Sequence, residues 1–175
     1  MHECGKETKL YLRNAALIQA MERGLKKQKI CLAASAGGHL TEIMQLKPFL
    51  KAHPYYIVSD SRFNAVNLEG REKMHYVSVP RRNPFALLAN MWQSLGIFLK
   101  ENPAVVISTG ADVAFFTCVL AKLFRKKLIF IETFTRSSQP SLTGKLLYPL
   151  CDLFFIQWKE LKKYYPRAIY AGSLV

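Results

Sequence analysis

Acidic side chains are scarce in this sequence. Twelve Asp and Glu face 25 Lys and Arg in 175 residues, a formal net charge of +13. Such a balance calls for a negatively charged partner: nucleic acid, an anionic membrane surface or a phosphorylated ligand. Metal-binding patterns are missing as well. There is no HExxH, no cluster of Cys with His and no DxD pair, so group transfer built on a bound metal is not expected. Neither GxGxxG nor a Walker loop occurs. Cys4, Cys31, Cys118 and Cys151 are far apart, with no CxxC, which argues for free thiols in a reducing setting rather than a disulfide framework. No apolar run approaches the roughly 18 residues of a spanning helix, and the first thirty positions lack the continuous apolar core of a signal peptide. Gly and Pro number only 9 and 8 against 50% hydrophobic residues, which excludes disordered and collagen-like classes.

What remains is a single globular domain with a sizeable core. An enzyme that needs two nucleotide-fold domains does not fit in it, so any likeness to half of such an enzyme demands a partner for the other half. Residues 8–28 read as an amphipathic basic helix outside the main fold. Leu10, Leu17, Met21 and Leu25 form its stripe, suited to a partner or to a membrane surface. From Lys29 onward, short apolar runs alternate with helical segments. Strands are expected at Ile30–Ala34, Tyr55–Ser59, Tyr76–Val79, Val105–Ser108, Leu128–Ile131, Leu153–Ile156 and Ile169-Tyr170. Helices are expected at Leu40–Leu50, from Pro84 to Leu99, from Val113 to Phe124, at Leu142–Leu150 and at Lys159–Tyr165. The pattern is an α/β fold with a mainly parallel, Rossmann-like sheet.

Ligands of such sheets collect beyond the carboxyl ends of the strands. Three loops leave those ends here: Ser35–His39, Thr109–Asp112, and Glu132 onward to Ser141. Gly37-Gly38 between strand and helix admits close approach of a ligand and favours an anion at the helix start, with Ser35 and Thr41 as further donors. His39 is placed to accept a proton from a hydroxyl. Glu132, directly after a strand, is a candidate base, an orienter of a sugar hydroxyl or a carboxylate that organises its loop, and Asp112 a helix cap. Arg81-Arg82 and Arg136 leave strand ends and suit a diphosphate, whereas Arg125-Lys126-Lys127 reads as a solvated turn. The segments Phe85–Leu99 and Val113–Phe124 are unusually apolar. They read either as helices buried on the sheet and a partner or as an exposed patch resting on lipid.

Several stretches together resemble one family. They are Ala34-Ser35-Ala36-Gly37-Gly38-His39-Leu40-Thr41-Glu42, Ser108-Thr109-Gly110-Ala111, Ile131-Glu132-Thr133-Phe134, Leu142-Thr143-Gly144-Lys145-Leu146, Asp152-Leu153-Phe154-Phe155-Ile156-Gln157-Trp158 and Tyr170-Ala171-Gly172-Ser173. The family is the membrane-anchor, acceptor-side subunit of two-part UDP-sugar glycosyltransferases. Its eukaryotic member serves the UDP-GlcNAc transferase of N-glycan assembly, and its PssD-like bacterial and archaeal relatives serve capsule and exopolysaccharide synthesis. The resemblance implies that residues 29–175 are the amino-terminal half of a GT-B enzyme. A separate donor-binding subunit would hold most of the UDP-sugar, which is a substrate; no cofactor and no metal are implied.

The acceptor would be a lipid diphosphate at the cytoplasmic face of the membrane, met by Ser35, Gly37, Gly38, Thr41, Thr109, Gly110, Arg81 and Arg136. His39 and Glu132 would be the catalytic pair, with His39 preferred as base in an inverting transfer. Many eukaryotic members carry a spanning segment ahead of the first strand. Here residues 1–28 supply an amphipathic basic helix instead, which suits peripheral anchoring. Two other readings stay open: a non-catalytic scaffold that recruits and activates the partner at the membrane, and, from charge alone, a nucleic-acid-binding domain.

Overall fold

The computed structural model describes residues 27–62, 70–81 and 83–174. The expected helix at residues 8–28 lies outside them except for Lys27 and Gln28, which are not helical. Among the described residues seven strands form one parallel sheet: β1 (Ile30–Ala34), β2 (Tyr55–Ser59), β3 (Met74–Tyr76), β4 (Val105–Gly110), β5 (Lys127–Ile131), β6 (Leu153–Ile156) and β7 (Ile169–Tyr170). Their order is β3-β2-β1-β4-β5-β6-β7. Every neighbouring pair is parallel, so the α/β, Rossmann-like expectation holds. The order reverses between β1 and β4, which opens a crevice beyond their carboxyl ends.

Burial on both faces accounts for the unbroken apolar runs. Ile30, Leu32 and Ala34 of β1 face one cluster, which includes Leu40, Ile43, Leu46, Phe49 and Leu50 from the segment after β1. Cys31 and Ala33 face the other, with Val113, Ala114, Cys118 and Ala121. The first segment is not the single helix expected. It breaks into α1 (Gly38–Ile43), a 3₁₀ turn (Met44–Leu46) and α2 (Lys47–Leu50), because Pro48 has no N–H to offer the preceding turn. The second face carries α3 (Pro84–Glu101), α4 (Asp112–Leu123) and α5 (Leu142–Leu147). Lys159–Lys163 is a 3₁₀ turn rather than an α-helix.

Two other expectations shift. β3 begins two residues early, at Met74, because the ladder with β2 is closed by Ile57 N–H to Lys73 O and by Val77 N–H to Ser59 O. The residues that follow, expected as strand, are a loop: Ser78 N–H donates to Gln93 Oε1 and Ser78 O accepts from the Asn90 side chain. Asp112 is the first residue of α4 and not its cap; Ala111 precedes the helix, and Asp112 Oδ1 accepts from Val113 N–H. Asn83 does cap α3, accepting from Phe85 and Ala86 N–H, and left-handed Asn102 ends it. The Cys31, Cys118 and Cys151 thiols are free, and burial raises all three, Cys118 to about 12.

At the opposite edge of the sheet, the Glu101 carboxylate gathers Lys29 at 2.9 Å, Lys73 at 2.8 Å and His75 at 2.9 Å. Burial opposes its ionisation, but hydrogen bonds from Lys73, Lys29 and His75 prevail and lower its pKa to about 2. A lowered folded-state value contributes stability that is present above the ordinary 4.5 and lost as pH falls toward 2. Glu101→Gln is expected to cost about 2 kcal/mol near neutral pH, discounted for the half-exposed lysines. The gap to the wild type should close in acid, as urea denaturation across pH will show.

Candidate functional site

The crevice at the strand-order reversal holds a cavity of about 450 Å³ lined by Gly38, His39, Thr41, Glu42, Thr133, Phe134 and Thr135. The β1–α1 loop supplies its floor. Gly37 takes φ 108°, ψ −144°, open to glycine but strained for other residues. A side-chain carbon built at Gly37 or Gly38 would meet nothing within 4 Å, so the backbone lies open to a ligand. The loop is internally braced. Leu40 N–H donates to Ser35 O, Thr41 N–H and Oγ1 donate to Gly37 O, and Thr109 Oγ1 donates to His39 O at 2.9 Å. α1 is only six residues long and two of its early amides are committed to the loop, so the anion preference expected of a helix start is weak.

His39 lines the cavity. Its ring leans toward β4, with Cε1 3.9 Å from a side-chain carbon built on Gly110. Its Nδ1 is buried and meets no hydrogen-bond partner. The side chain is half-buried, and a bound hydroxyl that reaches a ring nitrogen can pass its proton to it. The β4–α4 turn beside it is tense: Gly110 has φ 103°, and Ala111 has φ 77°, ψ 163°, a conformation otherwise almost confined to glycine.

Glu132 stands elsewhere than expected. It is fully buried and does not line the cavity. Its Oε2 accepts from the Tyr165 hydroxyl at 2.8 Å and from Ser141 N–H at 3.3 Å, and its Oε1 accepts from Thr133 N–H. A side-chain carbon at Gly144 would clash with Glu132 Oε2 and lie 2.7 Å from the Tyr165 hydroxyl, so glycine lets α5 close over the carboxylate. Burial and the adjoining Glu132 charge raise the Tyr165 pKa, keeping the phenol protonated as a donor. This geometry makes Glu132 an organiser of the β5–α5 loop. Of the sequence readings the loop-organising one fits: among the described residues no contact joins Glu132 to His39 and it is absent from the cleft lining, which corrects the roles of base and imidazole orienter.

The carboxylate nearest the cleft is Glu42, which sequence reasoning passed over as a site residue. It is 3% exposed. Oε1 accepts from Phe134 N–H at 2.8 Å and from the Gln157 amide, and Oε2 accepts from the Thr133 hydroxyl at 2.9 Å. Gln157 in turn donates to Glu132 O and accepts from Leu174 N–H. Trp158 Nε1–H donates to Phe134 O, and the two rings pack 4.9 Å apart. One network thus holds the Thr133–Thr135 wall over the floor. Its sequence trace is faint: a Glu beside core-facing Ile43, and a Gln directly after the apolar run of β6.

The remaining expected contacts divide. Gly38, His39 and Thr41 line the cavity. Ser35 and Thr109 are buried beneath it, Thr109 with its hydroxyl already committed. Gly37 and Gly110 shape the turns. Arg136 is exposed in the loop that starts at Thr133, near the rim. Arg81 is exposed after β3, the far edge strand, and is not part of the lining; Arg82 lies outside the described residues.

A family model described as oligosaccharide biosynthesis protein Alg14 like matches residues 30–174. The human UDP-N-acetylglucosamine transferase subunit ALG14 is 28% identical over 178 residues, covering 83% of this chain and 82% of its own length. Among solved structures, MurG of Acinetobacter baumannii superposes with a TM-score of 0.66 at 13% identity over 85% of this chain and 44% of its own. The UDP-N-acetylglucosamine 2-epimerase of Rickettsia bellii gives 0.67 at 14% identity over 85% and 45%. These likenesses show the fold alone, and the chain spans less than half the length of either solved protein.

Proposed function

Because the chain belongs to the Alg14-like family of oligosaccharide-biosynthesis proteins, we propose that it is the acceptor-side half of a two-part UDP-sugar glycosyltransferase. A donor-binding GT-B half docks over the cleft and supplies most of the UDP-sugar site. This chain holds a lipid-diphosphate acceptor at the cytoplasmic face of the membrane, where it is peripheral. The observation that carries the reading is His39, half-buried in the wall of an open cleft at the β1–β4 reversal. Such a cleft is one wall of a two-domain site, matching the relatives that are named as transferase subunits.

In this mechanism the acceptor hydroxyl lies against His39, which removes its proton as the hydroxyl oxygen attacks the anomeric carbon from the face opposite the departing UDP. The configuration therefore inverts. Gly37 and Gly38 admit the acceptor's phosphates to the backbone, and the exposed Arg136 draws in their charge. The Glu42 network keeps Phe134 and its neighbours in place as the apolar wall. Neither a cofactor nor a metal takes part, so chelation by EDTA is expected to leave the rate unchanged.

The purified chain alone is expected to show no turnover with UDP-GlcNAc, or with other UDP-sugars, and a lipid-diphosphate acceptor. Adding the donor-binding subunit should restore transfer. Full turnover without it would overturn the two-part reading. Intact turnover of the pair after both His39 and Glu132 are replaced would favour a scaffold that only recruits and activates its partner.

A further inference from the structure

α3 carries polar residues on its inner side, beside buried Phe98. Asn90, Ser94 and Glu101 lie on its buried face. Asn90 donates to Ser78 O and Val113 O, and Glu101 holds Lys29, Lys73 and His75. On the outer side, Phe85, Leu88, Trp92 and Leu99 follow one another three, four and seven residues apart, a single stripe, with half-buried Leu95 at its margin packed against the core. Phe85 is 79% exposed, Trp92 65% and Leu99 58%. A helix whose neighbour is water carries the opposite arrangement. Near the far end of the stripe, exposed Leu123 ends α4 and partly exposed Phe124, the residue after it, packs on buried Phe98.

We infer that this stripe lies on an anionic bilayer surface, with α3 in the plane of the interface and its apolar side chains among the acyl chains. The inference rests on the membrane-peripheral reading above and places the lipid contact on α3. Charge selects the occupant. Exposed Arg81 precedes the helix, exposed Lys100 and Arg125 flank its end, and its one acidic residue, Glu101, is turned inward. A second copy of the chain would set these cations against themselves, whereas anionic headgroups neutralise them. The stripe is about 21 Å long at the helical rise, and no helix of the described residues is long and apolar enough to cross a membrane. A flat-lying contact is what such a stripe can make. In a parallel sheet a crossover helix starts at the edge where the strands end. The Phe85 end of the stripe therefore shares an edge with the cleft, and a lipid-linked acceptor reaches His39 from the surface that holds its tail.

The test uses the full chain and vesicles of phosphatidylcholine with or without phosphatidylserine. Binding should be stronger to the anionic vesicles and weakened by salt. Bromine-labelled acyl chains should quench the tryptophan fluorescence, and Trp92→Phe should remove that quenching while binding persists, leaving Trp158 as the silent reference. The double variant Leu88→Glu, Leu99→Glu, with circular dichroism unchanged, should lower the partition coefficient about tenfold or more. If that variant fails to fold, quenching of Trp92 in the wild type decides alone. Bound vesicles with unquenched Trp92, or an unaltered partition coefficient in a folded double variant, would overturn the inference. So would a dimer in sedimentation that the double variant dissolves, which would make the stripe a contact between copies. No sugar, acceptor or partner subunit enters these measurements, so a failure of the transferase reading leaves their outcome intact.

Discussion

Replacing His39 by alanine, with the donor-binding subunit present, is expected to lower kcat about 10²–10⁴-fold and to move the acceptor KM little. Among the described residues the imidazole is the one titratable ring in the cleft lining, and its Nδ1 meets no hydrogen-bond partner that would commit it to structure. Its carbonyl, and not its ring, carries the hydrogen bond from Thr109 to the loop. Alanine therefore removes the proton acceptor and leaves the floor standing, a loss confined to the transition state. Steady-state kinetics over a range of acceptor concentrations separates the two parameters. Glu132→Gln should be far milder in kcat, because Glu132 works inside the protein on Tyr165 and Ser141. If His39→Ala raises KM while Glu132→Gln abolishes kcat, the base has been assigned to the wrong residue.

The second large effect concerns stability. Glu42→Ala is expected to cost about 3–5 kcal/mol, read from urea denaturation near neutral pH. It would strand three donors around a buried carboxylate: Phe134 N–H, the Thr133 hydroxyl and the Gln157 amide. Glu42→Gln keeps one carbonyl oxygen, and the Thr133 hydroxyl can turn to accept from the new amide, so its cost should be near 1 kcal/mol. The same pair of variants should rank alike in acceptor KM, since the loop they loosen is the cleft wall. A cost below about 1 kcal/mol for Glu42→Ala would mean that water replaces the network.

Most of the fold was legible because a parallel strand buried on both faces leaves a continuous apolar run bounded by turn residues. Ile30–Ala34, Tyr55–Ser59 and Leu153–Ile156 are such runs, and they form β1, β2 and β6 as expected. β3 was displaced because its ladder starts at Lys73, a residue no hydrophobic pattern would choose. The first helix was overextended because apolar spacing persists through Pro48 although the hydrogen-bond chain does not.

The sequence by itself determined the class of sheet, and it pointed to the carboxyl-end loops where the cavity lies and to Gly38, His39 and Thr41 of its lining. Those signals are local: strand, turn and helix start follow one another along the chain. Only the tertiary structure decided between the carboxylates. Glu132 and Glu42 both neighbour apolar runs, and nothing local distinguishes them. The closure of α5 at Gly144 encloses one, while the approach of Thr133, Phe134 and Gln157 from two other strand ends puts the other in the cleft wall. It likewise decided which side of α3 faces out. Spacing marks an apolar stripe, but the polar partners that turn the opposite side inward, Ser78, Lys29, Lys73 and His75, are supplied by residues distant in sequence from most of the helix. Burial is a property of what packs against a residue, and a one-dimensional pattern records only the residue.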